Sequence, residues 1–358
     1  MVTNHSTGQT GPGDLDGTPV RLTFISPQGT RQTVPSRIRR ERRRTTPPPL
    51  AAHDVLLGGS VRAVRLSCAA AVGPDAEGPR KLEAEIRAAL CLHRAFHGSA
   101  YQSLFPSLVG YDMDAEEPFV LYQAPRGDAA AQLSYGISTT EQRTIERDLV
   151  LAVRLMEGLG LVHRGLVPAA VRWDGKRAQL WDLGAVARIG SRRVPTGAPP
   201  YAAPEQRHGV GRTDARDALW SVAQIVYQLA TGQQGDPEGP PRDLASYRSL
   251  ERPLGAAFAA LAEDRPAPAE VLALLMPGPD PAALVEARPD PLQPHRQDYD
   301  RAMEQKRRAA GLGPYGFGHG VESPTAGTAR TAAPPGEARG RRRAWFGGPA
   351  GGRDMRGQ

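Results

Sequence analysis

The sequence predicts an α+β protein with a small β-rich amino-terminal part, a larger helical carboxy-terminal part and disordered tails. Short runs of alternating apolar and polar residues before residue 124 are typical of strands. Apolar residues at helical spacing over 139–161, and a nearly all-apolar run over 217–229, predict two helices, of which the second is buried. From residue 277 onward Pro, Gly, Ala and Arg dominate, which is typical of an irregular tail.

These observations divide the chain into four segments. Residues 1–17 are expected to be disordered. Residues 18–124 are expected to form an amino-terminal lobe, with a basic loop at 35–50, and residues 125–277 a carboxy-terminal lobe. Residues 278–358 are expected to form a mostly disordered tail rich in Pro, Gly and Arg. A chain of 358 residues is long enough for one large domain or two ordinary ones.

The individual elements are predicted from the spacing of apolar residues, which alternate in strands and recur every three to four residues in helices. Residues 19–25 alternate like a strand and are followed by the turn Pro27-Gln28-Gly29. Asp174-Gly175 is a tight-hairpin signal, and Thr139 with Gln142 resembles a capping box. The remaining predictions are strands at 31–34 and within 53–66, a helix at 81–96, strands within 108–122, a helix at 139–161, a hairpin at 170–181, a buried helix at 217–229 and a short helix at 267–276.

Charge and cysteine content narrow the class of protein. Lys+Arg (45) exceed Asp+Glu (38), but the excess lies in the flanks, chiefly in Arg37–Arg44 and Arg341–Arg343, while residues 51–279 are slightly acidic. Such runs can bind nucleic acid, or they can be solvated tails. Two cysteines are too few for a disulfide framework or a zinc site. Without a signal sequence or a long apolar run, we predict a cytoplasmic protein with no membrane span.

Five motifs follow one another in the second half of the chain. They read LVHRGLVPAAV at 161–171, LWDLG at 180–184, GAPPYAAPE at 197–205, LWS…TG at 219–232 and DRP…AEVL at 264–272. In order and spacing they resemble the catalytic loop, metal-binding segment, end of the activation segment, buried helix and closing segment of protein kinases. The chain resembles this family, in the bacterial Ser/Thr style, over about residues 50–277. The resemblance implies a bilobal kinase-like fold.

The resemblance also implies a nucleotide site. Arg65 lies where the family has its phosphate-binding lysine, Glu85 where that lysine has its partner, and Tyr122 and Gln123 in the stretch that resembles the hinge. Asp182 is implied as a ligand of Mg²⁺, and ATP and Mg²⁺ are the implied cofactors. The remaining implied cofactor-binding residue is Gly184, in the turn after Asp182, and the only remnant of a Gly-rich loop is Gly58-Gly59.

The catalytic positions are substituted. Gly165 occupies the position of the catalytic base and Ala170 that of the metal-binding asparagine, and neither side chain can take a proton or bind a hard cation. Arg65 keeps a positive charge but has a larger, planar head group than lysine. Lys81, one of only three lysines, is a rival phosphate ligand that we expect to face solvent on its helix.

The residues that the resemblance assigns to structure are retained. It implies that Glu205 pairs with Arg265, that His163 and Arg164 brace the catalytic loop, and that Trp220 is buried in its helix. The family's aspartate near that helix start is displaced by one residue, to Asp217. Two hydroxyl side chains in the activation-like segment, Ser191 and Thr196, are candidate phosphorylation sites.

Three functions stay open at this point. The first is a catalytically impaired pseudokinase that acts as a scaffold in bacterial signalling, with protein partners and residual ATP binding. The second is a working but atypical Ser/Thr kinase that transfers the γ-phosphate of ATP to protein hydroxyls. The third is a nucleic-acid-binding protein that acts through its basic tails, which the scarcity of aromatic residues in the tails disfavours.

Overall fold

The computed structural model describes residues 17–42, 49–68, 77–133 and 137–284, together with Ala302, Gln305, Lys306 and Ala309, which are helical. The chain divides into two compact units, Met1–Arg288 and Pro289–Gln358, and the barrel, the short strands and the numbered helices all belong to the first. Most of both predicted disordered segments, 1–17 and 278–358, lies outside the described residues.

Six antiparallel strands form a closed barrel in the amino-terminal part of this unit. Their order around the barrel is β1-β2-β3-β4-β6-β5. The strand bounds are β1 Thr18–Ile25, β2 Arg31–Arg42, β3 Ala51–Leu57, β4 Val61–Ser67, β5 Leu108–Asp112 and β6 Phe119–Gln123. Strand β1 pairs with β2 from one end to the other. It also pairs with β5 where Ile25 lies opposite Tyr111, and this contact closes the barrel.

The barrel interior is filled by alternate residues of its strands. Leu22 and Phe24, two apart on β1, point inward together because side chains alternate faces along a strand. The buried cluster they belong to is Leu22, Phe24, Val55, Leu57, Ala63, Phe119 and Leu121. Gly110 on β5 makes room for this packing, since a Cβ there would lie 2.3 Å from Cδ2 of Phe24.

The helices lie outside the barrel and after it. Helix α1 (Glu77–Phe96) separates β4 from β5. Of the helices described after the barrel, α2 (Thr139–Gly158) and α4 (Ala215–Thr231) are long, whereas α3 (Pro204–His208), α5 (Arg248–Leu254) and α6 (Pro268–Leu275) are short. Helix α2 begins with a capping box formed by Ser138 and Glu141, one residue before the predicted one. Among the described residues, none of the helices has the length and apolar character needed to cross a membrane.

Short strands position the motif residues between these helices. Strand β7 (Asp128–Ala129) pairs with β9 (Val171–Trp173), which pairs with β10 (Ala178–Leu180) in the predicted hairpin. Strand β8 (Leu161–His163) pairs with β11 (Val186–Arg188). The segments that contain His163 and Asp182 are therefore tied together by backbone pairing.

The predicted bilobal kinase-like fold, with a small β-rich N-lobe and a larger helical C-lobe, is wrong. The strands close into a six-stranded antiparallel barrel and few helices follow it. The physical reason is β1, whose pairing with both β2 and β5 brings together segments far apart in the chain. Residues 35–42, predicted in a basic loop, continue strand β2, and residues 43–48 are not among those described. Gly58-Gly59 forms the β3–β4 turn with positive φ at both residues.

The closing strand is expected to be essential for stability. Phe24 is 2% exposed in the barrel interior, and truncation of a buried Phe to Ala costs about 3–5 kcal/mol. We expect Phe24→Ala to lower the free energy of unfolding by that amount in urea titrations. Val61→Ala, at a site 47% exposed, is the control and should stay within about 0.5 kcal/mol of wild type. A loss no greater for Phe24→Ala than for the control would show that β1 is not packed in solution.

Candidate functional site

The segment that resembles a catalytic loop is held by His163. The backbone N–H of Gly165 donates to Nδ1 of His163 at 3.2 Å, so Nε2 carries the proton and donates to the carbonyl of Trp181 at 3.0 Å. Burial lowers the pKa of His163, which favours this neutral form. Arg164 Nε donates to the carbonyl of Ala185 at 3.2 Å. Both predicted bracing residues therefore contact the segment around Asp182.

Position 165 offers neither a side chain nor room for one. A Cβ built on Gly165 would lie 2.9 Å from the Cβ of Ala185, so a larger residue would have to displace the backbone or its neighbour. Ala170 is buried at 2% exposure. The nearest downstream carboxylate, Asp174, accepts from the N–H groups of Lys176 and Arg177 within the β9–β10 turn. Proton transfer and metal binding therefore have no side chain at these positions.

Asp182 has a cationic partner already. Its Oδ1 lies 3.5 Å from Nζ of Lys81, and the two side chains are 23% and 18% exposed. The side chain of Lys81 passes over Gly184, where a Cβ would meet Lys81 Cγ at 2.5 Å. The expectation that Lys81 faces solvent is wrong. The spacing in the sequence indicates the observed orientation of Lys81, because Lys81 and Glu85 are four residues apart and so lie on one face of α1.

Arg65 lies away from this cluster. Its Nη1 donates to Ser67 Oγ at 3.2 Å and to Glu117 Oε2 at 3.1 Å, and its guanidinium stacks 4.7 Å from the ring centroid of Phe119. Arg65 lies two residues after Ala63, so it shares the face of β4 on which Ala63 lines the barrel interior. Val64 and Leu66, on the opposite face of β4, belong to the buried cluster that includes residues of α1. The face of β4 that the resemblance would use for phosphate is therefore apolar.

Glu85 is a neutral hydrogen-bonding group in this structure. Its carboxyl is fully buried and accepts from the hydroxyl of Tyr122 at 2.9 Å. Burial, and to a smaller extent the charge of Asp182, raise the pKa of Glu85 to about 8. The ring of Tyr122 lies edge-on to Trp181 with centroids 5.5 Å apart. The resemblance implies that Glu85 is the partner of the residue at position 65, but Arg65 binds Glu117 and Glu85 contacts Tyr122.

The hinge-like stretch at the end of β6 has few groups available for a ligand. The N–H of Gln123 donates to the carbonyl of Ser107 at 2.9 Å, and that of Ala124 donates to the carbonyl of Arg62 at 3.0 Å. The next residue, Pro125, has no N–H. The Gln123 side chain is exposed. Backbone donors at residues 123–125 are therefore either used by the protein or absent.

A cluster of four charges, three of them buried, holds the activation-like segment. Arg265 donates to both carboxylate oxygens of Glu205, at 2.7 and 2.9 Å, and stacks 4.9 Å from the ring of Trp220. Arg193 donates to both oxygens of Asp217, at 3.0 and 2.6 Å, and lies 3.7 Å from Glu205. Sequence reasoning missed Arg193, since no local pattern marks it.

Protonation in this cluster follows burial and pairing. Burial raises the pKa of Asp217 to about 6, although Arg193 opposes the shift. For Glu205 burial acts in the same direction, but its hydrogen bonds with Arg265 prevail and hold its pKa below the usual range. The displaced Asp217 thus anchors the activation-like segment. Within that segment Ser191 is exposed and Thr196 half-buried, and their phosphorylation stays a prediction.

The residues present do not fit the Mg²⁺ and ATP that the resemblance implies. Asp182 is paired with Lys81, and no second oxygen ligand is offered by Gly165 or Ala170. Across the described parts of the chain, no three His, Cys, Asp or Glu side chains gather into a group that could hold a metal ion. Hard cations require several oxygen ligands, so the metal-binding role of Asp182 lacks partners.

Comparison with known proteins supports a kinase-like protein. The chain is 26% identical over 167 residues to serine/threonine-protein kinase ULK1 of Homo sapiens, a match that covers 41% of this chain and 16% of that protein. It is 31% identical over 119 residues to CBL-interacting protein kinase 29 of Oryza sativa subsp. japonica, covering 32% and 27%. It is 31% identical over 83 residues to MAP kinase kinase mkk-4 of Caenorhabditis elegans, covering 22% and 23%.

These similarities are partial. The matched segments span about a quarter or less of the length of each of these three curated relatives. No family model matches the chain. The similarity to protein kinases that the motifs predicted is confirmed, and the bacterial Ser/Thr type and the loss of catalysis stay predictions.

The buried Glu85 is expected to make stability fall as pH rises. The folded protein keeps the Glu85 proton up to a pKa of about 8, whereas the unfolded chain releases it near the ordinary value of 4.5. The contribution of Glu85 to the free energy of unfolding is therefore complete below pH 4.5. It is lost as the pH rises through 8, at no more than about 1.4 kcal/mol per pH unit. Glu85→Gln should remove this share of the slope in urea titrations between about pH 5 and 8.

A second buried carboxyl supplies the control for this measurement. Burial also raises the pKa of Glu146 to about 8, so Glu146→Gln should remove a separate part of the decrease in stability with pH. The free energy of unfolding of the double variant should depend least on pH. A Glu85→Gln slope equal to that of wild type would show that Glu85 is ionised in the folded protein.

Proposed function

We propose that this kinase-like protein is a catalytically impaired pseudokinase that acts as a scaffold in bacterial signalling, in the cytoplasm. Its partial similarity to three protein kinases supports the family, and its substituted motifs support the impairment. The buried thiol of Cys68 suits a reducing compartment.

The observation that carries the proposal is the absence of a base at residue 165. Phosphoryl transfer to a hydroxyl needs a group that accepts the hydroxyl proton in the transition state. Gly165 has none, and Ala185 lies where a side chain would extend. Loss of a general base alone slows a reaction by roughly 10²–10⁴-fold. Loss of the second metal ligand at Ala170 acts on the same step, so the two effects are not simply additive.

The cations of the site support the same conclusion. Arg65 is bound to Glu117, Lys81 to Asp182, Arg193 to Asp217 and Arg265 to Glu205. Each positive charge therefore neutralises a carboxylate of the protein itself. A triphosphate would have to compete with these carboxylates, and residual ATP binding in this proposal depends on separating Lys81 from Asp182.

A phosphotransfer assay tests the proposal. With radiolabelled ATP, Mg²⁺ or Mn²⁺, and high protein concentration, we expect neither autophosphorylation nor labelling of a generic protein substrate above background. Gly165→Asp should also be inactive, because the carboxylate would be crowded by Ala185 and Ala170 would still lack a metal-binding group. Labelling by wild type that Asp182→Ala abolishes would refute the proposal and establish an atypical kinase.

Ligand binding is a separate prediction. We expect no Mg²⁺-dependent rise in Tm at millimolar ATP, because Asp182 is paired with Lys81 and has no neighbouring oxygen ligand. A bound nucleotide would raise stability by an amount that grows with the logarithm of its concentration, so a titration distinguishes binding from a salt effect. A Mg²⁺-dependent rise that Asp182→Ala removes would contradict this prediction. It would leave the absence of phosphotransfer to be decided by the first assay.

A further inference from the structure

The outer face of the barrel carries a groove that the motif residues do not use. Its volume is about 500 Å³, and strands β1, β2 and β3 with the β3–β4 turn line it. The residues that matter for its chemistry are Pro19, Arg21, Pro35, Arg37 and Leu56. Strand β1, which closes the barrel, thus also forms one wall of the groove.

Strand register places two arginines at diagonal positions in this groove. Pro19 lies opposite Arg37, and Arg21 lies opposite Pro35, so the arginines are diagonal neighbours on one face of the sheet. Leu56 lies opposite Arg37 on the next strand and is 4% exposed. The groove therefore has a proline opposite each arginine, and an apolar residue, Leu56, on the other side of Arg37.

Neither arginine has an anionic partner among the residues that the structure describes. Arg21 and Arg37 are both exposed, and neither forms a hydrogen bond or ion pair with any part of the chain that the structure describes. Diagonal neighbours on a sheet are about 7–8 Å apart, which is within reach of long side chains, so a single anion can contact both guanidinium groups. The buried arginines behave differently, since Arg65, Arg193 and Arg265 each pair with a carboxylate.

We propose that this groove is a docking surface for an acidic segment of a partner protein, an inference that rests on the scaffold function proposed above. A carboxylate can bridge two guanidinium groups through charge-assisted hydrogen bonds, and an aliphatic side chain next to it would cover Leu56 and the prolines. Single-stranded nucleic acid is disfavoured, because base stacking requires aromatic side chains and the residues that line the groove include none.

Peptide binding to the full-length protein tests the proposal. The probe is a fluorescein-labelled, twelve-residue Gly/Ser peptide with three Glu and two Leu, followed by fluorescence polarisation at low salt. The comparison peptide has Gln in place of each Glu. We expect the Glu peptide to bind at least about tenfold more tightly than the Gln peptide, and Arg21→Glu with Arg37→Glu to weaken it by about tenfold or more.

A matched double variant separates the groove from net charge. Arg242 and Arg252 are exposed arginines outside the groove, so Arg242→Glu with Arg252→Glu changes the charge equally and should alter affinity by less than about twofold. Equal weakening by both double variants, or equal binding of the two peptides, would overturn the proposal. An oligo-dT that displaces the peptide and loses affinity in the groove variant would assign the surface to nucleic acid instead.

These outcomes are independent of the phosphotransfer assay. A failure of peptide binding removes this docking surface and leaves an inactive kinase-like protein. Detection of phosphotransfer removes the pseudokinase and leaves the groove result unchanged. Far-UV circular dichroism and the Tm of each double variant establish that both are folded before affinities are compared.

Discussion

A charge in the interior of this protein is stable only next to an opposite charge, and most of the site follows from that constraint. Removing an ion from water costs several kcal/mol, and breaking a buried pair costs about 3–5 kcal/mol. Arg193 and Arg265 are accommodated in the core because Asp217 and Glu205 each accept two hydrogen bonds from them. These pairs tie the activation-like segment to α4 through Asp217 and to the closing segment through Arg265.

The same constraint applies to the charged residues that the resemblance associates with a nucleotide. In a phosphate-binding site, cations must be available to the ligand, and here Lys81 and Arg65 are paired with Asp182 and Glu117. Glu85 obeys the constraint in another way, because it stays protonated and bonds to Tyr122. Charged residues that the motifs associate with a nucleotide thus stabilise contacts between α1, β6 and the turn at Asp182.

Sequence reasoning located the motif residues better than it located their partners. The hairpin at Asp174-Gly175 and the pair of Glu205 with Arg265 depend on local turn chemistry or on motif spacing, and both are present. The direction of Arg65 was missed because β4 is apolar on both faces, with Ala63 on one and Val64 and Leu66 on the other. Alternation fixes which residues share a face but cannot say which face meets α1. The barrel was missed because its closure depends on Ile25 meeting Tyr111, a contact that no local pattern encodes.

Closure of the barrel limits the way in which this part of the protein can meet other chains. An open sheet ends in strands whose N–H and C=O groups are unpaired, and such edges recruit extended peptides or further copies of the same chain. Strand β1 is bonded to β2 along its whole length and to β5 where Ile25 lies opposite Tyr111, so the sheet offers no free edge at that junction. At that junction a further strand has no backbone groups to join, and a partner would meet side chains of the barrel surface instead.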